Sequence, residues 1–203
     1  MKVLQILPQL NIGGVERGTL DLSKALIHKG HQSFVISGGG ILVDELIQSG
    51  AKHYEIPVHI KSLRTLSLAK HLSETISSID PDIVHIRSRM PAWVNYRAFK
   101  MLQKKPLLVS TFHGLYSFPI YSKVMSFVDH SIAISKTVEN YILENYKLDK
   151  NNITVIPRGC DPIEFNNNEI YPDDKAKIIN EFPKIVGKKV LTIPGRITKW
   201  KGV

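Results

Sequence analysis

The sequence lacks the features that mark several common classes of protein. It has a single cysteine, Cys160, which excludes an internal disulfide framework, and neither CxxC nor HExxH occurs, so no recognisable metal signature is present. No run of about 18 apolar residues occurs, and Met1 leads directly into an apolar strand rather than a basic segment followed by a long apolar one. We therefore expect a cytoplasmic protein with no metal site.

What is present is a strong excess of basic charge. The 203 residues include 27 Lys and Arg against 18 Asp and Glu, a net charge of +9, and residues 51–110 alone hold ten basic against four acidic side chains. Such a surface attracts phosphorylated lipids, nucleotides or nucleic acids, although a merely solvated basic face is an equal alternative. The basic residues are not interleaved with stacking aromatics, so we expect no nucleic-acid partner.

Short apolar runs alternate with amphipathic segments, which predicts a doubly wound, Rossmann-like α/β domain with a parallel sheet. Most runs are continuously apolar, as in strands covered by helices on both faces. The predicted strands are Val3–Leu7, Ser33–Ser37, His53–Ile56, Ile83–Ile86, Leu107–Thr111, Ser131–Ile134 and Thr154–Ile156, with a further one at Lys189–Ile193.

Four helices are predicted between these strands from apolar positions at helical spacing. The four apolar stripes are Val15, Thr19, Leu22, Ala25 and Leu26; Leu66, Ala69, Leu72 and Ile76; residues in Ala92–Leu102 after Pro91; and Val138, Ile142 and Leu143. A polar, turn-rich stretch, Asn166–Asp174, is followed by a short helix and then the strand at Lys189–Ile193. We therefore place a domain boundary near Lys184–Lys188, which predicts a first domain at 1–186 and the start of a second at 187–203. Because the chain ends at Val203, where the next helix is due, we expect that second domain to be cut short.

The loop after the first strand contains two adjacent glycines, Gly13 and Gly14, and opens directly into a helix. Backbone amides at a helix N-terminus favour anions, and glycine lets a phosphate or a sugar approach closely, although such a pair can also simply close a turn. A dinucleotide-binding dehydrogenase would need GxGxxG here and an acid after the second strand. The spacing is GGxxxG and the second strand ends in Ser37-Gly38-Gly39-Gly40, so that class is not indicated.

Six segments, in order along the whole chain, resemble family 4 glycosyltransferases, a large retaining family of the two-domain GT-B fold. They are Gly13-Gly14-Val15-Glu16, Asp82-Ile83-Val84-His85, Ser110-Thr111-Phe112-His113-Gly114, Ile132-Ala133-Ile134-Ser135, Val155-Ile156-Pro157-Arg158-Gly159-Cys160-Asp161 with Phe165, and Pro194-Gly195-Arg196-Ile197-Thr198-Lys199-Trp200-Lys201-Gly202. Arg158-Gly159-Cys160-Asp161 departs from the family's frequent Asn-Gly-Val-Asp. The segment from His85 to Trp93 and the final segment resemble a bacterial subgroup that assembles lipopolysaccharide.

The resemblance implies a cleft between two domains and a role for particular residues there. Gly13 and Gly14 would lie beside the donor diphosphate, and His113 would be the catalytic-site residue that approaches the donor sugar or the acceptor. Arg196 and Lys201 match the basic pair that offsets the charge of the leaving diphosphate, so no metal or other cofactor is expected. A histidine that caps a turn and a solvated basic pair are the structural alternatives.

The acceptor side is assigned to Glu16, Arg87 and Arg89. Both arginines follow the fourth strand and should emerge at the ligand-binding edge of the sheet, where a guanidinium suits a phosphate or a carboxylated sugar. Trp93 and Tyr96 could line the same edge, or pack in the core of their helix.

The resulting expectation is the N-terminal, acceptor-side half of a retaining enzyme. It would transfer a sugar from a nucleoside diphosphate donor to a saccharide or glycolipid, in lipopolysaccharide or related envelope glycan assembly, with peripheral contact with anionic lipid on the inner face of the cytoplasmic membrane. This chain alone would be inactive, because the glutamate-bearing donor site of the family lies in the second domain. The alternative is a stand-alone module that binds an acceptor or a partner protein without chemistry.

Overall fold

Seven short strands pair side by side in one parallel sheet, which is the core of the computed structural model. The structure describes residues 1–60, 67–116, 119–160, 162 and 172–193. In these ranges the strands are β1 (Lys2–Ile6), β2 (Gln32–Ser37), β3 (Lys52–Glu55), β4 (Ile83–Ile86), β5 (Leu107–Phe112), β6 (His130–Ala133) and β7 (Ile153–Val155). All seven of the predicted strands up to residue 156 are confirmed, and each of their ends lies within one residue of its predicted position.

The order of the strands is β3-β2-β1-β4-β5-β6-β7. The chain moves outwards from β1 to β3 and then crosses to β4 on the other side of β1, so the direction of winding reverses between β1 and β4. In open α/β sheets, ligands bind at the carboxyl ends of the strands beside such a reversal. The predicted doubly wound, Rossmann-like fold is confirmed.

Helices cover both faces of the sheet. They are α1 (Gly14–His28), α2 (Val43–Gln48), α3 (Ala69–Ile79), α4 (Arg89–Phe99), α5 (Pro119–Ser122) and α6 (Lys136–Asn145). A further helix, α7 (Pro172–Glu181), follows later in the chain. Val35 packs in an apolar cluster with Leu20 of α1 and Leu46 of α2, whereas its neighbours Phe34 and Ile36 belong to a larger cluster that includes α3 and α4. This alternation shows that each strand contributes to two cores.

The buried face of α1 differs from the predicted apolar stripe. Thr19, Leu20 and Ser23 are its buried residues, and Ala25 is exposed. The reason is Gln5 of β1, which is fully buried and therefore requires polar partners from the helix above it. Leu66, one residue of the second predicted stripe, lies outside the described residues.

The chain divides into two compact units, Met1–Arg158 and Gly159–Val203. In the second unit the predicted strand Lys189–Ile193 does not form, and Leu191 is 99% exposed. A strand needs a neighbour for its backbone hydrogen bonds, and the described residues offer none to this segment. The predicted domain extents, 1–186 and 187–203, stay a prediction.

No helix in the described ranges has the length and apolar character required to cross a membrane. Those ranges also contain no group of three or more His, Cys, Asp or Glu side chains placed to hold a metal ion.

Candidate active site

The loop between β1 and α1 brings the N-terminus of a long helix to the reversal point of the sheet. Gly13 precedes α1, and no side chain caps the first turn of this 15-residue helix. The first amides of a helix have no partner within it and carry the positive end of its dipole. The carboxylate of Glu16, in the first turn, lies over Gly13, where a methyl group built on that glycine would collide with it. Glu16 therefore lies at the predicted site, and its carboxylate contacts the N-terminus of its own helix.

A second glycine loop, Gly38 to Gly40, supports the first one. Pro8 accepts a hydrogen bond from the Gly38 amide (2.9 Å), and the Leu10 amide donates to the Gly39 carbonyl (2.7 Å). Gly40 has a φ of 138°, and a methyl group on it would collide with the backbone of Leu10, so only glycine fits there. The glycine run after β2 therefore fixes the conformation of the loop that carries Gly13.

Arg87, which directly follows β4, is a buried cation. Only 7% of it is exposed, and its Nη1 donates to Gln5 Oε1 at 3.0 Å. Its Nη2 lies 3.1 Å from a methyl group built on Gly18 of α1. Burial lowers the pKa of Arg87 to about 10, with the charge of Arg158 acting in the same direction, so the guanidinium remains charged at neutral pH.

Gln5 holds Arg87 in place through a buried polar layer between the sheet and α1. Its Nε2 donates to the Thr19 carbonyl (3.1 Å) and to Ser23 Oγ (2.9 Å), and Ser33 of β2 donates to the same Ser23 oxygen (2.9 Å). The Nε of Arg87 is buried and has no hydrogen-bond partner among the described residues. A buried N–H without an acceptor is unfavourable, which makes this edge suited to an anionic ligand.

His113 directly follows β5 and is uncharged. Burial lowers the pKa of its imidazole to about 3, and the positive charges of Arg87 and Arg158 contribute to the lowering. Its Nδ1 accepts a hydrogen bond from Arg158 Nη2 at 2.8 Å, and its Nε2 is buried without a partner in the described ranges. In His85 of β4, by contrast, Nε2 has a partner, Thr111 Oγ1 of β5, at 2.7 Å.

Arg158 is the functional candidate that sequence reasoning missed. It follows β7, and a methyl group on Gly14 would collide with its Nη1, so the guanidinium lies directly over the second glycine of the loop. A signal was present, because Arg158 stands where the resembling family often has asparagine and lies after a strand of the parallel sheet. Arg158 joins three of the predicted residues, Gly14, Arg87 and His113, at one edge.

Arg89 faces a different set of partners. Its Cζ lies 4.8 Å from the ring centroid of Tyr116 and 5.5 Å from that of Tyr121, and its Nη1 donates to Ser122 Oγ at 3.4 Å. The structure thus places it against the segment around α5. Trp93 and Tyr96 pack against the core, as the structural alternative had it. Arg196 and Lys201, with the rest of their segment, lie outside the described residues.

A separate groove of about 590 Å³ lies at the opposite edge of the sheet. Asp80 and Pro81 before β4, and Lys104 and Pro106 before β5, line it. Lys104 and Asp80 already pair there at 2.7 Å. This ion pair neutralises two of the charged side chains that line the groove.

The fold and this edge define a Rossmann-like domain with a ligand site at the sheet reversal. Residues 12–164 match the sequence profile of Glycosyltransferase Family 4, and the chain belongs to that family. It corresponds to the N-terminal domain of a GT-B glycosyltransferase.

Three known proteins illustrate the similarity. A glycosyltransferase from Rickettsia africae is 37% identical and superposes with a TM-score of 0.78 over 99% of this chain and 54% of its own. An uncharacterised glycosyltransferase of Methanocaldococcus jannaschii, MJ1069, is 34% identical over 143 residues, 62% of this chain and 34% of that protein. Anabaena HepE, crystallised with UDP-glucose, has the same fold at 18% identity, with a TM-score of 0.78 over 100% of this chain and 55% of its own. This chain therefore spans about half, or less, of the length of these relatives.

Proposed function

We propose that this chain is the acceptor-side half of an enzyme that transfers a sugar from a nucleoside diphosphate donor to a saccharide or glycolipid, with retention of anomeric configuration. The observation that carries the proposal is the convergence of the α1 N-terminus at Gly14 with two guanidinium groups and an uncharged His113 at the sheet reversal. Family membership favours this enzyme over a binding module without chemistry.

The chemistry explains why such groups belong there. As the bond between the sugar and the diphosphate breaks, negative charge accumulates on the leaving oxygen. Fixed dipoles and cations that meet this charge stabilise the transition state more than the ground state. In the proposed enzyme, Gly13, Gly14 and the basic pair Arg196 and Lys201 serve the diphosphate, without a metal ion or another cofactor.

Acceptor recognition is assigned to the basic residues after β4, together with Glu16. Arg87 is buried, charged and lacks an ion-pair partner among the described residues, so a phosphate or carboxylate on the acceptor would complete its contacts. We further propose that the acceptor belongs to lipopolysaccharide or a related envelope glycan, which rests on the resemblance of the segment His85–Trp93 to that subgroup.

Binding of the donor provides the test. We expect UDP-glucose, the first member of a panel of nucleoside diphosphate sugars, to shift the amide NMR signals of Gly13, Gly14 and His113 in this chain. The substitution Arg158→Met, which removes the guanidinium that lies over Gly14, should weaken the response, whereas Arg97→Met, on the exposed side of α4, should not. Shifts confined to the groove before β4 and β5 would contradict the proposal.

The 203-residue chain by itself should show no sugar transfer from these donors. The Rickettsia africae relative is nearly twice as long, and the basic pair assigned to the diphosphate lies at the end of this chain. A joined protein carrying the C-terminal half of that relative should recover transfer, with the product in the donor's anomeric configuration by proton NMR. Robust transfer by the 203-residue chain would show that the proposed division of the site is wrong.

We also propose peripheral contact with anionic lipid on the inner face of the cytoplasmic membrane. Besides the basic excess, three large apolar side chains on the segments that follow β1 and β5 are exposed: Ile12 by 86%, Leu115 by 60% and Ile120, in α5, by 90%. Apolar insertion combined with basic charge is the usual means of peripheral attachment.

Vesicle cosedimentation tests this contact. We expect binding to phosphatidylserine-containing vesicles that weakens with salt, and no binding to phosphatidylcholine alone. The double change Leu115→Ser and Ile120→Ser should reduce it, while Met101→Ser, at an apolar residue of the opposite edge that is about as exposed as Leu115, should not. Binding that ignores lipid charge would contradict the proposal.

A further inference from the structure

The contact between Arg158 and His113 determines where the imidazole carries its proton. Arg158 Nη2 lies 2.8 Å from His113 Nδ1. A guanidinium has five N–H donors and no acceptor, so the Nδ1 atom must offer a lone pair. A neutral imidazole that accepts at Nδ1 carries its proton on Nε2.

Arg158 also contacts the loop before α1. Its other terminal nitrogen lies over Gly14, in space that any larger residue would fill. Among the described residues no carboxylate forms an ion pair with this guanidinium. Its positive charge therefore acts with burial and with Arg87 to oppose protonation of His113.

The other groups around the ring do not reverse this effect. Arg87, from the end of β4, adds a second positive charge. His85, also from β4, is buried and its own pKa is lowered, chiefly by desolvation, while burial raises the pKa of Tyr116. None of these groups supplies a negative charge that would favour an imidazolium.

The Nε2 atom of His113 is buried and has no partner in the part of the chain that the structure describes. It therefore presents an N–H group to the same edge as the α1 N-terminus. Such a group needs an acceptor, and the chain itself supplies none within those ranges.

We propose that Arg158 is a positioning residue that holds His113 as the neutral Nε2–H tautomer, so that His113 is a permanent hydrogen-bond donor to an oxygen of the bound sugar substrate. His113 then orients the substrate and takes no part in proton transfer. The inference rests on the proposed function only for the identity of that oxygen. The tautomer itself is a property of the free protein.

The nitrogen-15 NMR shifts of the histidine rings test the proposal without any measurement of activity. In the free chain from pH 8 to pH 5, we expect His113 to show an unprotonated, pyridine-like Nδ1 and a protonated, pyrrole-like Nε2. The variant His113→Gln assigns the signals. An Nδ1–H tautomer, or an imidazolium at pH 6, would overturn the proposal.

Substitution of Arg158 separates its role from that of burial. Arg158→Met should give averaged shifts for the two ring nitrogens and a titration at higher pH, and Arg158→Lys should restore part of the fixed tautomer. Arg97→Met is the matched control and should leave His113 unchanged. Because Arg158 is exposed, the variants should remain folded, which amide spectra would verify. Unchanged His113 shifts in a folded Arg158→Met protein would overturn the assignment.

Addition of UDP-glucose connects the tautomer to ligand binding. We expect the Nε2 proton signal of His113 to shift while Nδ1 stays unprotonated. A fixed tautomer with no response to any donor sugar would leave the positioning role intact and count against the proposed function. A ligand-induced move of the proton to Nδ1 would overturn the positioning role alone.

Discussion

His113 is buried beside two guanidinium groups, and this environment makes its protonation unfavourable in the folded chain. The pKa of the folded state is about 3, well below the ordinary value of 6.5. Between these values the unfolded chain binds more protons than the folded one, so the stability contributed at pH 7 is lost as the pH falls below about 6.5. For one such group the loss approaches about 1.4 kcal/mol per pH unit.

The substitution His113→Gln should remove this contribution, because an amide can accept from Arg158 and does not titrate. We expect the wild-type chain to lose about 2 kcal/mol more than the variant between pH 6.5 and pH 5. Urea unfolding followed by circular dichroism at the two pH values measures the difference. His28→Gln, at the exposed end of α1, is the control. Equal losses in wild type and His113→Gln would show that His113 titrates normally.

Single residues also show how much of the site the sequence can predict. Gly14, Arg87 and His113 could be named because each follows a strand, and the carboxyl ends of parallel strands meet at one edge. Arg158 follows a strand too, but β7 lies at the end of the sheet, several strands from the α1 N-terminus. Whether a long side chain reaches back across that distance depends on the conformation of its loop, which residue spacing does not encode.

At the scale of elements, a polar layer joins α1 to the sheet. Gln5 connects Arg87 to Ser23 and Thr19, and no part of this layer follows an apolar pattern. Apolar spacing consequently predicted the existence of α1 but assigned part of its buried face to the wrong residues. The strands could be predicted more accurately than the buried face of α1, because each is an apolar run that pairs with a neighbouring strand. Lys189–Ile193 has no such neighbour among the described residues, and it forms no strand.

Gln5→Leu should destabilise the chain by about 1–3 kcal/mol, because it leaves the buried Nη1 of Arg87 without its acceptor and removes the hydrogen bonds from Gln5 to the Thr19 carbonyl and Ser23 Oγ. Urea unfolding measures the cost, and Gln48→Leu, at the exposed end of α2, is the control. In a protein that already carries Arg87→Met, Gln5→Leu should lower the free energy of unfolding by less, because no buried Arg87 charge is then left without its partner. If the loss of unfolding free energy in the double variant equals the sum of the losses in the two single variants, Gln5 and Arg87 do not act as a pair.

At the scale of the whole molecule, burial differs sharply between the two compact units. The first unit contains both apolar clusters of the sheet. In the second unit, large apolar side chains are exposed: Ile178, Phe182, Val186, Val190, Leu191 and Ile193. A helix of ten residues is marginal in water without an apolar face to bury, so the two units should differ in local stability.

Helices α6 and α7 allow a matched comparison, because each has ten residues. Helix α6 buries Val138 and Ile142, whereas every described residue of α7 is at least partly exposed. We expect native-state hydrogen exchange to be at least about 100-fold slower in α6 than in α7, since opening α6 exposes core side chains and opening α7 does not. Mass spectrometry of peptides covering the two helices measures the ratio. Equal protection would mean that Ile178 and Phe182 are buried in solution, and the second unit would then hold a core of its own.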